Sequence, residues 1–151
     1  MKSLVAYYSR TDITKKLAEI IADKTDADIE EIIPKVNYQG KIGYARGGKD
    51  AISFKVIELE SLKYNPEEYD IVYLGCPVWA SRPATPLYSY MKMNEGKFKN
   101  VKFFVTAGGS GFDSTLKHME ESTLKPQKTL ALTTKEVKKD LFEEKLASFI
   151  D

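Results

Sequence analysis

A chain of 151 residues in which 23 Lys and Arg nearly balance 22 Asp and Glu is long enough to bury a core, and its net charge of +1 gives no long-range pull toward nucleic acid or an anionic membrane. One cysteine, Cys76, and one histidine, His118, exclude an internal disulfide framework and a Cys/His zinc site within one chain, and fit a reducing cytoplasm. No run approaches the roughly 20 apolar residues of a membrane span, so the expectation is a cytoplasmic, soluble protein with one domain over residues 1–151 and no metal.

The first element is "SLVAYY" (3–8), a continuous apolar run of the kind that strands buried on both faces show. After a polar bend, Ile13, Leu17, Ile20 and Ile21 recur on one helical face. "ADIEEII" (27–33) alternates as an edge strand does. Residues 34–69 exceed what a crossover requires and read as one short helix with loops; Gly40, Gly43, Gly47 and Gly48 with Tyr38, Tyr44 and Arg46 form either a lid or binding loop or a decorative surface insertion.

"DIVYLGCPVW" (70–79) is a second central strand, followed by a helix with Pro83 in its first turn and Leu87, Tyr90 and Met91 on one face. "NVKFFVTAGG" (100–109) is the third, with Asp113 or Ser114 capping a helix through Met119. "KTLALTT" (128–134) is a short last strand, and Thr133 with Glu136 makes a capping box for a terminal helix carrying Val137, Leu141, Leu146, Phe149 and Ile150. This alternation predicts an α/β fold, a three-layer, doubly wound, five-stranded parallel sheet joined by right-handed crossovers.

In such a sheet the ligand crevice lies outside the carboxyl ends of the strands. The three central strands lead there into "SRTDIT" (9–14), "CPVWASRP" (76–83) and "TAGGSGF" (106–112). The first puts hydroxyls and amides at a helix start, where an anion is favoured. The second offers the large flat side chain of Trp79, and the third has glycines that let backbone amides approach a ligand closely.

With these three loops in order, the chain resembles a short-chain flavodoxin: Ser9-Arg10-Thr11-Asp12-Ile13-Thr14 is similar to that family's phosphate loop, and "GCPVWASRPATP" and "TAGGSG" are similar to the loops after its third and fourth strands. The resemblance implies strand order 2-1-3-4-5 and FMN as cofactor, with its phosphate on Ser9, Thr11, Thr14 and the amides of Arg10, Thr11, Asp12, Ile13 and Thr14. It implies ring stacking on Trp79 beside Pro77, Val78 and Ala80, contacts to the pyrimidine edge from Ala107, Gly108, Gly109, Ser110 and Gly111, and a second aromatic flank from Phe112. Asp12 departs from the family, which has Gly there; its carboxylate either competes with phosphate for the loop amides or turns outward.

Other readings compete. Alone, the hydroxyls of 9–14 are helix caps, Trp79 is core and the glycines are a turn; their coincidence at one sheet edge favours a site. Cys76 and Arg82 spell the C-x5-R of a cysteine phosphatase, against which stand Pro77, which removes an amide donor, and Pro83 after the Arg. Loss of FMN through Asp12 is a further alternative. His118 and the Lys-rich C-terminal stretch read as solvated surface.

The expectation is an FMN-binding electron-transfer protein with no catalytic acid or base of its own, working with redox partner proteins or NAD(P)H as a monomer or weak homodimer; the alternative is an NAD(P)H-dependent oxidoreductase of the quinone reductase type. Arg10, Lys15 and Arg82 against Asp12 and Asp113 predict a fully reduced flavin less disfavoured than in an acidic flavodoxin.

Overall fold

The computed structural model describes residues 1–151. The strands β1 (Ser3–Tyr7), β2 (Asp28–Glu31), β3 (Ile71–Trp79), β5 (Val101–Ala107) and β6 (Thr129–Thr133) form one parallel sheet in the order β2-β1-β3-β5-β6. These are the five expected strands in the expected order. A sixth, the two-residue β4 (Arg82–Pro83), folds back antiparallel on the end of β3.

The continuous apolar runs are explained by burial on both faces. Leu4, Ala6, Val72, Leu74, Cys76, Phe103 and Val105 face one core; Val5, Tyr7, Ile71, Tyr73 and Phe104 face the other. The first core is closed by α3 (Thr85–Met93) through Leu87, Tyr90 and Met91, and by α4 (Phe112–Ser122) through Met119. The second is closed by α1 (Ile13–Thr25) through Leu17, Ala18 and Ile21, and by α5 (Thr134–Lys138) and α6 (Glu143–Ile150) through Val137, Leu146 and Phe149. Gly75 is fixed by packing: a Cβ there would stand 2.0 Å from Cε2 of Phe104.

Several local expectations are corrected. The terminal helix is two helices, broken where Asp140 adopts a φ of 55°, and Leu141 is exposed instead of buried. Pro83 lies in β4, with Pro86 in the first turn of α3; α4 starts at Phe112 after Gly111, ahead of Asp113. The Thr133–Glu136 capping box is present.

The segment 34–69 holds α2 (Gly40–Ile52) and a return stretch that covers the β2 edge. There Glu30, buried, accepts the amides of Lys63 and Tyr64 at 2.8 and 2.9 Å, and Pro34 bridges Leu59. No helix is long and apolar enough to cross a membrane.

Candidate functional site

At the bend between β1 and α1, Asp12 has φ 65° and ψ 0°, the left-handed conformation that glycine adopts without strain. Its carboxylate is exposed and makes no capping bond, so it turns outward and leaves the amides free. The amide of Lys15 donates to Ser9 Oγ (3.1 Å) and that of Lys16 to the Asp12 carbonyl (3.0 Å). The five preceding amides, Arg10 through Thr14, have no acceptor within the chain. Consecutive amides of this kind at a helix N-terminus form an anion-binding concavity.

Hydroxyls line the same place. Thr14 Oγ1 lies 2.9 Å from Thr106 Oγ1, buried; whichever accepts keeps its own proton to donate elsewhere. Ser9 is in the same position, since its oxygen accepts from Lys15 and its proton is free. Thr134 donates to the Ala107 carbonyl at 3.3 Å.

Arg10 ties this loop to α2. Its Nε donates to the Tyr38 carbonyl (2.9 Å), its Nη2 to the Gly40 carbonyl (3.0 Å), and the guanidinium lies 5.4 Å from the Tyr44 ring centre.

Trp79 sits half-buried beneath α2. Its ring meets Tyr8 and Tyr38 edge to face, with centroids 5.5 and 5.0 Å apart. A Cβ on Gly47 would stand 3.0 Å from its Cζ3, and one on Gly43 only 2.2 Å from the Tyr38 carbonyl carbon. Gly43 and Gly47 are therefore on the inner face of a helix laid close over the aromatic residues, and the segment covers the site instead of decorating the surface.

Beyond Trp79 the hairpin turns on Ala80 (φ 50°) and Ser81 (φ 63°), two non-glycine residues in the conformation a tight two-residue loop demands. Such strain persists where surrounding contacts enforce it. Here Arg82 Nη1 donates to the Ala80 carbonyl at 2.6 Å, and Gly111 packs against the turn, with room for no Cβ beside Val78 Cγ1. Gly108 and Gly109 differ: a Cβ on either would meet nothing within 4 Å, so no contact within the chain requires them to be glycine.

Two cavities share Arg10, Tyr44, Val78 and Trp79. One of about 240 Å³ is lined by Thr11, Ile13, Thr14, Pro77, Thr106, Ala107, Gly108 and Thr134 as well; the other, about 180 Å³, adds Gly48 and Ala80. The structure thus brings together Arg10, Thr11, Ile13, Thr14, Pro77, Val78, Trp79, Ala80, Ala107 and Gly108. Ser9, Asp12, Gly109, Ser110, Gly111 and Phe112 adjoin these cavities in sequence without lining them. Thr106 and Thr134 are additional lining residues whose signals were masked by strand patterns, while Tyr44 and Gly48 come from the segment read above as a lid or binding loop. A wider groove of about 620 Å³ along the open edge of β6 contains none of the three loops.

The Cys76 thiol is wholly buried, and burial pushes it up to about 12, so at neutral pH it is neither a thiolate nor reachable. With Arg82 turned back to its own hairpin, the phosphatase reading fails. Burial likewise pushes the Tyr8 hydroxyl beneath Trp79 up to about 12, opposed by Arg10. No cluster of His, Cys, Asp and Glu fit to hold a metal is present.

A doubly wound parallel sheet with an anion-binding first loop and an aromatic second loop defines a nucleotide-type binding protein. A family model for flavodoxins matches residues 2–151, and the chain belongs to that family. Among solved structures it is similar to a flavoprotein from Lactobacillus acidophilus NCFM in complex with FMN, at 28% identity and TM-score 0.72, covering 91% of this chain and 97% of that one. It is also similar to a putative flavoprotein from Bacteroides eggerthii (23%, TM-score 0.75, 97% and 98% covered). A more distant likeness is to an NADPH-quinone reductase from P. pentosaceus (11%, TM-score 0.57, 99% and 96% covered), which shows the fold alone. No curated protein matches.

Proposed function

We propose that this protein is an FMN-dependent electron carrier. The cofactor is FMN, and its phosphate is held by the amides of Arg10 to Thr14 with the hydroxyls of Ser9, Thr11 and Thr14. The observation that carries this reading is the run of five acceptorless amides opening onto a cavity walled by Trp79 and Ala107–Gly108. When bound, FMN supplies one- or two-electron transfer at its ring. The chain's own part is to bind and orient: Arg10 fixes α2 over the cavity, Trp79 and Tyr44 present aromatic surfaces to it, and Gly108 allows close backbone approach. The only ionisable side chains lining either cavity are Arg10 and Tyr44, with no carboxylate, imidazole, amine or thiol among the lining residues. That composition favours a carrier over a reductase that must protonate its own substrate.

The test is the absorption spectrum after FMN is added and the excess removed. Retained flavin absorbance supports the reading; protein emerging colourless sinks it. Rapid bleaching of the loaded protein by NADPH alone would instead favour the reductase.

A further inference from the structure

We propose that the outer face of α2 is a docking surface for an acidic electron-transfer protein, an inference that rests on the carrier reading above. In a chain whose charges almost cancel, residues 39–57 carry four exposed cations, Lys41, Arg46, Lys49 and Lys55, and no exposed acid. The single acid of that stretch, Asp50, is buried under the helix and accepts the Tyr38 hydroxyl at 2.7 Å. None of the four cations forms an ion pair within the chain. Three of the four, Lys41, Arg46 and Lys49, lie on α2 itself, whose only acid is the buried Asp50, so its exposed surface is positive in a chain whose charges nearly balance.

Apolar surface is interleaved with it. Ile42 is 81% exposed and Ile52 55%. At 100° per residue these two lie with Lys41, Ala45 and Lys49 on the side of α2 opposite its buried residues Gly43, Gly47, Asp50 and Ala51. Isolated exposed hydrophobes need no explanation, but two on one cationic helix face, beside the candidate redox site, form the apolar centre and charged rim of a small interface. Bare polyanion binding needs the cations and has no use for the isoleucines. The outer face stands one helix thickness, about 10 Å, from the cavity that α2 covers. Complementarity then commits the partner: a protein presenting carboxylates around a small apolar contact, steered in by opposite charge.

The test uses a [2Fe–2S] ferredoxin of acidic net charge as the probe, titrated by NMR shift perturbation against the chain with and without FMN. Binding at about 20 mM salt is expected to weaken at least ~10-fold by about 150 mM, as exposed charges are screened. The double reversal Lys41→Glu with Lys49→Glu is expected to weaken it at least ~10-fold at low salt. Ile42→Ser with Ile52→Ser is expected to weaken it without changing its salt dependence. FMN titration and melting temperature should not move in either variant. No binding at low salt, indifference to both double variants, or equal competition by duplex DNA would each overturn the proposal, the last by marking a general polyanion surface. The two readings separate cleanly: ferredoxin bound through α2 by a chain that holds no FMN keeps the docking face and rejects the carrier, while FMN retained with no effect of α2 rejects the docking face alone.

Discussion

The Cβ that Gly47 lacks would stand 3.0 Å from Cζ3 of Trp79, so α2 lies near enough to the indole that even a methyl group there is crowded. Gly47→Leu must push the ring toward the cavity or lift the helix from it, and FMN affinity is expected to fall at least ~10-fold, since overpacking costs about 1–3 kcal/mol. Gly48 is a control on the same helix. A Cβ there meets nothing within 4 Å, and Gly48→Ala is expected to stabilise the flavin-free protein by about 0.5–1 kcal/mol through helix propensity. Urea unfolding and flavin fluorescence titration check the pair.

Asp12 holds a left-handed backbone and points its charge outward, next to five amides that await an anion. Asp12→Gly removes both the strain and a like charge near the phosphate. The expected result is a gain of about 0.5–1 kcal/mol in stability and unchanged or tighter FMN binding. A clear loss in the titration would give Asp12 a positive role.

Gly75 and Phe104 occupy space that admits only one side chain. Gly75→Ala is expected to lower stability by about 3 kcal/mol or more, the upper range for overpacking. Phe104→Leu in the same chain should recover part of it; an unaltered melting temperature in Gly75→Ala would contradict the packing described.

Glu136 receives the Thr133 amide at 3.0 Å and the Lys145 ammonium at 2.8 Å, and these hold its carboxyl below the usual carboxylate range, the Lys145 bond foremost. A group whose folded value is depressed stabilises the fold fully above its unfolded value, near 4.5, and loses that contribution as pH falls through the folded one. The difference in stability between wild type and Glu136→Gln should therefore be flat at neutral pH and shrink below about pH 4.5. Chemical denaturation across pH 3–7 measures it; a difference that stays constant to pH 3 would assign the effect to the hydrogen-bond cap alone.

The sheet was legible because Val, Ile, Leu, Phe and Tyr dominate strands covered on both faces, as in 71–76 and 101–106, where Lys102 is the one charged residue. The phosphate loop was legible too, because hydroxyls at a strand–helix bend carry their own chemistry. One short helix was expected within 34–69, but not its place over the site: four glycines in nine residues suppress helix propensity, and only the contacts of Gly43 with the Tyr38 backbone and of Gly47 with Trp79 show why those two are needed. The β4 hairpin was hidden for the opposite reason, since Ala80-Ser81 lacks the Asn-Gly signal its conformation normally demands. The break at Asp140 leaves Leu141 outside, where a strict helical period would have buried it. Thr106 and Thr134 are ordinary residues at strand ends, and only the fold brings them to the cavity.

Arg10 belongs at once to the loop of acceptorless amides and, through the Tyr38 and Gly40 carbonyls, to the start of α2. Order in one is therefore shared with the other, and by reciprocity whatever quiets the loop disfavours the open state of the helix by the same coupling energy. Amide hydrogen exchange along 43–52 becomes a reporter of events at residues 10–14, and severing the guanidinium's two bonds would let the two segments breathe independently.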